Sequence, residues 1–289
     1  MAIEDFAAVA ATGAGLVVGI RAGDERPSSG VLWRDGAVVA SEQRLAEAEA
    51  YRVVLPGGAE AEAKLAGRDK GTNVAVLRVE AKAPAWEVGE PTGPGAFALA
   101  LGSDGAGGIT ARLGVVHRIG PEWHSMAGGR IDRLIVLDAR VAGHEEGGPV
   151  IDASGRLLGI STLGPRRRVL VIPSATVERV IEPLLREGRV ARGWLGVALQ
   201  PVSLPDGLRA AAGCEAGLMV VSLSAGGPAE QAGVTLGDVL LGVDGEAVRS
   251  ARGLAERLGS ERVGKECVLR VLRAGAVQEV RATVGARPK

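Results

Sequence analysis

The sequence predicts a mostly β protein built as a barrel or a sandwich. One sign is a series of short apolar runs at 16–20, 30–33, 37–40, 51–55, 61–65, 73–79, 96–101, 113–119, 134–137, 150–151, 157–162 and 169–172. Another is what lies between them: Gly, Pro and Asp clusters that punctuate strands rather than helices. Length adds a third constraint. At 289 residues, 46% hydrophobic and 24% charged, the chain can bury an ordinary core and is long enough for two domains.

Taken in order, Met1-Ala2-Ile3-Glu4-Asp5 is acidic where a secretory signal carries positive charge. The expectation is a cytoplasmic chain, or one whose signal has been removed. Residues 6–20 carry no charge and are shorter than the ~20 that a membrane-spanning helix needs, so they read as a short element feeding a strand at 16–20, with no membrane span. Arg34-Asp35-Gly36 between two apolar runs favours a hairpin. Pro56-Gly57-Gly58 marks a second turn.

Formal net charge is zero and the longest basic run is Arg166-Arg167-Arg168, which gives no pull toward nucleic acid. Cys214 and Cys267 fit no ligand spacing and read as small buried hydrophobes. Of His117, His124 and His144, only His144 stands beside carboxylates, Glu145 and Glu146, and that spacing fits no zinc motif. No metal and no cofactor are expected.

Gly147-Gly148-Pro149, followed by Val150-Ile151-Asp152 and the turn Ala153-Ser154-Gly155-Arg156, resembles the nucleophile loop of trypsin-like serine proteases of the HtrA family. The resemblance implies two antiparallel β-barrels over 1–188. It also places Glu146 where the family has its serine, Gln43 (in Ala40-Ser41-Glu42-Gln43-Arg44-Leu45) where it has its histidine, and Asn73 (in Thr72-Asn73-Val74-Ala75-Val76-Leu77) where it has its aspartate. His144 takes the position of the oxyanion-hole glycine. Leu99-Ala100-Leu101-Gly102-Ser103, Gly114-Val115-Val116 and Asp138-Ala139 are similar to further framework segments of the family. Glutamine has no nitrogen that titrates near neutral pH, asparagine cannot stabilise an imidazolium, and glutamate has no hydroxyl. Arg140 corresponds to the pocket floor and 166–171 to its wall, so Glu145 or Glu146 is expected to pair with Arg140, Arg166, Arg167 or Arg168 and plug the pocket. The alternative is that these arginines form an exposed loop. Ile172-Pro173-Ser174 is similar to the family's entry into a helix, here over 175–187, with the serine as its cap. Gly188-Arg189-Val190-Ala191 reads as a short linker.

Over 189–289 the resemblance is to an HtrA-type PDZ domain. It is carried by Arg192-Gly193-Trp194-Leu195-Gly196-Val197, by Gly226-Gly227-Pro228-Ala229-Glu230-Gln231-Ala232-Gly233-Val234, and by Leu236-Gly237-Asp238-Val239-Leu240-Leu241-Gly242-Val243-Asp244-Gly245. It implies that Leu195, Gly196 and Val197 capture a peptide carboxylate beside Trp194. Ala198 and Leu199 then offer a strand edge, and a helix over 251–258 forms the facing wall, with Leu254 and Leu258 either lining the groove or filling the core beneath it. The preferred C-terminal side chain is left open.

Two functions of different class follow. The favoured expectation is a non-enzyme: a pseudoprotease acting as scaffold, adaptor or regulator, its PDZ domain binding protein C-termini or exposed hydrophobic segments. The alternative is an active serine-type endopeptidase of protein quality control, with an unrecognised nucleophile. The family's trimers use aromatic contacts near the amino terminus, where this chain offers Phe6. Homo-oligomer, heteromer with an active HtrA-type protease, and monomer all stay open.

Overall fold

The structure, a computed structural model, describes residues 5–105, 107–164 and 168–288. It divides into two compact units between Val190 and Ala191.

The first unit opens with helix α1 (Phe6–Ala14), whose N-cap Asp5 accepts the Ala7 and Ala8 N–H groups at 3.0 and 3.3 Å. Strands β1 (Val17–Arg21), β2 (Ser28–Arg34), β3 (Ala37–Ser41), β4 (Tyr51–Val54), β5 (Glu60–Asp69) and β6 (Val74–Val79) close a barrel in the order β1-β2-β3-β6-β5-β4. The β2–β3 turn runs through Gly36 at φ +75°, and Val31 faces Val39 across the hairpin.

A second closed barrel takes the order β11-β14-β13-β12-β7-β8. Its strands are β7 (Phe97–Ser103), β8 (Ile109–Gly120), β11 (Leu134–Asp138), β12 (Pro149–Asp152), β13 (Leu157–Leu163) and β14 (Val169–Pro173). The short hairpin β9 (Trp123–His124) and β10 (Arg130–Ile131) lies between β8 and β11. Open sandwich sheets are thereby excluded, and the two-barrel expectation holds.

Each barrel has its own filling, Val18, Ile20, Leu32, Val38 and Leu77 in one and Ala98, Ala100, Val116, Ile135 and Val150 in the other. A third cluster packs Val17, Val31, Val39, Leu99, Leu101 and Ile151 against Val177, Ile181 and Leu184 of helix α2 (Ser174–Glu187). Strands such as β2, β3 and β12 are therefore covered on both faces, which is why they read as continuous apolar runs rather than alternating ones.

The expected serine cap of α2 is corrected. Pro173 is the N-cap and makes no side-chain bond, while Ser174 is already helical and its hydroxyl donates to the Leu157 carbonyl at 3.0 Å. The helix ends on Gly188 in the left-handed region, its N–H bonded to Leu184 O at 3.1 Å.

The second unit is a sheet in the order β16-β17-β18-β20-β21, from β16 (Val197–Ser203), β17 (Ala216–Leu223), β18 (Val239–Val243), β20 (Glu266–Arg273) and β21 (Ala276–Thr283). The short strand β19 (Glu246–Ala247) pairs with β18, and β15 (Gly193–Trp194) pairs with β22 (Gly285–Ala286). Helices α3 (Asp206–Ala212), α4 (Pro228–Gln231) and α5 (Ala251–Arg257) complete it.

Candidate active site and peptide groove

The loop between β11 and β12 is held by its backbone. Ser29 Oγ donates to the His144 carbonyl at 2.7 Å and Ser29 N–H to the Glu146 carbonyl at 3.1 Å, both from the first barrel. From the second barrel, Gly147 N–H donates to Ser161 O, and Ser161 N–H to Gly148 O, each at 2.9 Å. Both glycines are obligatory here. Gly147 sits at φ +94° where a Cβ would lie 2.3 Å from Ser29 O, and a Cβ on Gly148 would lie 2.0 Å from Leu101 O.

This stitching aims the Glu146 side chain at the first barrel. Its Oε1 accepts from Gln43 Nε2 at 2.5 Å, Thr162 Oγ1 at 2.8 Å, Ser41 Oγ at 3.1 Å and Leu163 N at 3.1 Å. Asn73, at the left-handed φ of +58°, accepts the Gln43 N–H on Oδ1 at 2.8 Å; its Nδ2 donates to Thr162 Oγ1 at 2.7 Å and to Ser41 Oγ at 3.1 Å. Gln43 Nε2 also reaches Thr162 Oγ1 at 2.9 Å and Leu163 O at 3.1 Å. The structure thus brings Gln43, Asn73 and Glu146 into one hydrogen-bonded node, together with Ser41, Thr162 and Leu163, which the sequence reading had not singled out. Ser41 lies two residues before Gln43, and that nearness was the available signal.

The expected plug is corrected in its partner. Glu145, 1% exposed, pairs with Arg112 of β8: Nη2 lies 2.9 Å and Nε 3.0 Å from Oε1. Its Oε2 accepts the Ala142 N–H at 2.5 Å. Burial works against the Glu145 charge, but Arg112 and the Ala142 N–H outweigh it and hold its pKa below the ordinary value. Arg140 and Arg168 are exposed, and Arg166 and Arg167 lie outside the described residues. A guanidinium of β8 reaches the buried carboxylate, while Arg140 and Arg168 lie in solvent. Among the described residues no cluster of three His, Cys, Asp or Glu side chains is placed to hold a metal ion.

In the second unit, the turn at Leu195 and Gly196 leads from β15 into β16. The Leu195 carbonyl accepts from Ala229 N and the Gly196 carbonyl from Ser224 N, both at 2.8 Å. Because each peptide is trans, the Gly196 and Val197 N–H groups point the opposite way from those carbonyls. Gly196 is at φ +77°, and its Cβ would press on Trp194 at 3.2 Å, so the glycine is required. Among the described residues β16, which carries Val197, Ala198 and Leu199, pairs only with β17 and so ends the sheet. Leu254 and Leu258 are 4% and 3% exposed and pack with Leu195 in the core. Both fill the core, one of the two places expected for them.

Two closed barrels joined by a Gly-Gly-Pro loop, with a PDZ-type sheet after them, define a trypsin-like peptidase fold carrying a PDZ domain. The trypsin-like peptidase domain family matches residues 28–160 and the PDZ domain family residues 193–284. A probable periplasmic serine endoprotease, DegP-like, of Brucella suis is 34% identical over 283 residues, covering 93% of this chain and 55% of that protein. The DegP-like protein of Rhizobium meliloti is 31% identical over 267 residues, 89% of this chain and 52% of that one. The chain spans about half the length of these relatives. Among solved structures, the HtrA-type protease AlgW with decapeptide superposes with a TM-score of 0.76 at 25% identity over 99% of both chains. A serine endoprotease from Yersinia pestis superposes with a TM-score of 0.76 at 25% identity over 100% of both. The chain belongs to the HtrA family of trypsin-like serine proteases with a PDZ domain.

These relatives overturn one expectation. A non-enzyme acting as scaffold, adaptor or regulator does not agree with a chain that matches named serine endoproteases over 93% of its length and shares its fold end to end with HtrA-type proteases.

Proposed function

We propose that this chain is an endoprotease of the HtrA class with a hydroxyl nucleophile, acting on unfolded protein chains in quality control, whose PDZ domain captures peptide C-termini by β-strand addition. The observation that carries the reading is the double barrel with its tightly held loop at 143–148, in a chain whose relatives are named serine endoproteases. On the PDZ side, the Gly196 and Val197 N–H groups form a paired donor site for a carboxylate, and the open edge of β16 at Ala198 and Leu199 takes the added strand. The AlgW structure, which holds a decapeptide, supports this use of the fold.

With Gln43, Asn73 and Glu146 at the family's triad positions, the attacking hydroxyl has to come from elsewhere. Thr162 and Ser41 are the two that touch the Glu146 carboxylate, and Thr162 is the better placed. Two amide N–H groups, from Asn73 and Gln43, converge on Thr162 Oγ1 and favour its alkoxide, with Glu146 as the base 2.8 Å away. In this scheme Glu146 takes the hydroxyl proton as the oxygen attacks the peptide carbon, then gives it to the departing amine. Water splits the resulting ester by the same path. Casein cleavage by the purified chain is expected, falling about 100-fold or more in Thr162→Val. Intact casein with the unaltered chain would overturn the reading. Binding of a C-terminal peptide is expected to vanish when its carboxylate is amidated; unchanged binding would refute carboxylate capture.

A further inference from the structure

We infer that Gln43 and Glu146 together cap the edge of β13 that receives a substrate strand, so that this edge is self-occupied until the two side chains release the Leu163 backbone, Glu146 keeping its bond to the Thr162 hydroxyl. The inference rests on the endoprotease reading above.

Strand β13 pairs with β12 only as far as Pro149↔Ile160, while on its other side it pairs with β14 through Leu163↔Val169. Past Ile160 the β12-side edge is met by the loop, since the Ser161 N–H and C=O bond to Gly148 O and Gly147 N. Leu163 lies two residues on, so its backbone groups face the same side. There the Leu163 N–H donates to Glu146 Oε1 and its C=O accepts from Gln43 Nε2, both at 3.1 Å. The two side chains touch each other at 2.5 Å.

One acceptor and one donor, side by side, on the N–H and C=O of a single residue is what one residue of an antiparallel neighbour supplies. Gln43 and Glu146 imitate that residue. An incoming extended peptide competes with them for both bonds. The ligand that fits the uncapped edge is an extended, uncharged backbone segment. A carboxylate-bearing chain end is disfavoured by Glu146 itself.

The test uses the full chain and a fluorescent Ala/Val pentapeptide blocked at both ends, whose amidated C-terminus leaves the PDZ carboxylate site unused. Glu146→Ala is expected to bind it about tenfold more tightly than the unaltered chain, and Gln43→Ala about threefold, as one cap bond is released in each. Gln43→Ala leaves the carboxylate its other donors, so it serves if Glu146→Ala does not fold. Equal or weaker binding in a folded Gln43→Ala or Glu146→Ala chain overturns the cap, even where casein is cleaved. Tightened binding in the variants, with casein left intact by the unaltered chain, upholds the cap and removes only the endoprotease reading.

Discussion

A chain carrying Gln43→His, Asn73→Asp and Glu146→Ser together is expected to be labelled by a fluorophosphonate at position 146 and to cleave casein on the order of 10³-fold faster than the unaltered chain. The backbone that a Ser–His–Asp triad needs is already in place. Asn73 Oδ1 accepts the backbone N–H of residue 43 at 2.8 Å, which holds the side chain of position 73 beside position 43, where an aspartate could reach the ring of a histidine. The side chain of position 43 reaches that of position 146 at 2.5 Å across the two barrels. Gly147 and Gly148 keep the loop in a conformation that a Cβ at either position would break. Glu146→Ser alone is expected to stay unlabelled, because Gln43 has no nitrogen able to take the proton. The gain should fall short of a full triad's on the order of 10⁶, since His144 stands where the family has a glycine beside the oxyanion. The readout is the mass of the labelled peptide spanning 141–156. A folded triple variant without label at position 146 would show that these three positions are not the triad's.

Much of this site is legible in the sequence, and what is not has a common cause. Gly147-Gly148-Pro149 was legible because backbone crowding, 2.0 Å to Leu101 O in one case, leaves no other residue there. Gly36 and Gly57 were legible for the same local reason, turns at positive φ. The carboxylate partner was not. Arg112 precedes Glu145 by 33 residues, and only the closing of β8 beside β7 brings it to the loop. A reading by family position pointed instead to Arg140, which solvent takes. Leu163 escaped because its part is played by its backbone at a strand edge, which depends on where β12 stops pairing and not on residue type, and Thr162 because only the fold brings its hydroxyl to Glu146. Leu254 and Leu258 show the converse. Their helical spacing was clear, but spacing cannot tell a groove wall from the core beneath it, and both are buried. Ser174 had the residue type of a cap, yet its hydroxyl found the Leu157 carbonyl first.

In the second unit, Asp238→Ala is expected to cost about 2–3 kcal/mol, lowering the midpoint of this roughly 100-residue domain by about 10 °C or more. Asp238 is 1% exposed and lies just ahead of β18, where its two oxygens accept Arg273 Nε at 2.8 Å and Nη2 at 2.7 Å. It also accepts the Thr235 N–H at 2.8 Å, while Arg273 Nη2 reaches Gly233 O at 2.7 Å. One ion pair therefore straps the loop at 233–238 to the end of β20. Removing the carboxylate takes an acceptor from four donors, Arg273 Nε and Nη2 and the Thr235 N–H and hydroxyl, but Arg273 is 32% exposed and water screens the charge left behind, which keeps the cost below that of a fully enclosed pair. Burial opposes the Asp238 charge, and Arg273 more than offsets it, so the folded-state pKa lies below the ordinary 3.8. A depressed carboxylate pKa stabilises above the unfolded value and loses that contribution as pH falls through the folded one. The stability gap between the unaltered chain and Asp238→Asn should accordingly be full at pH 7 and shrink below about pH 4. Trp194 is the tryptophan of this unit, the others being Trp33, Trp86 and Trp123. Urea unfolding followed by its emission, with the first unit's tryptophans replaced by phenylalanine, reads the gap directly. A gap that stays constant from pH 7 to 3 would show that the strap holds through shape alone and not through the charge on Asp238.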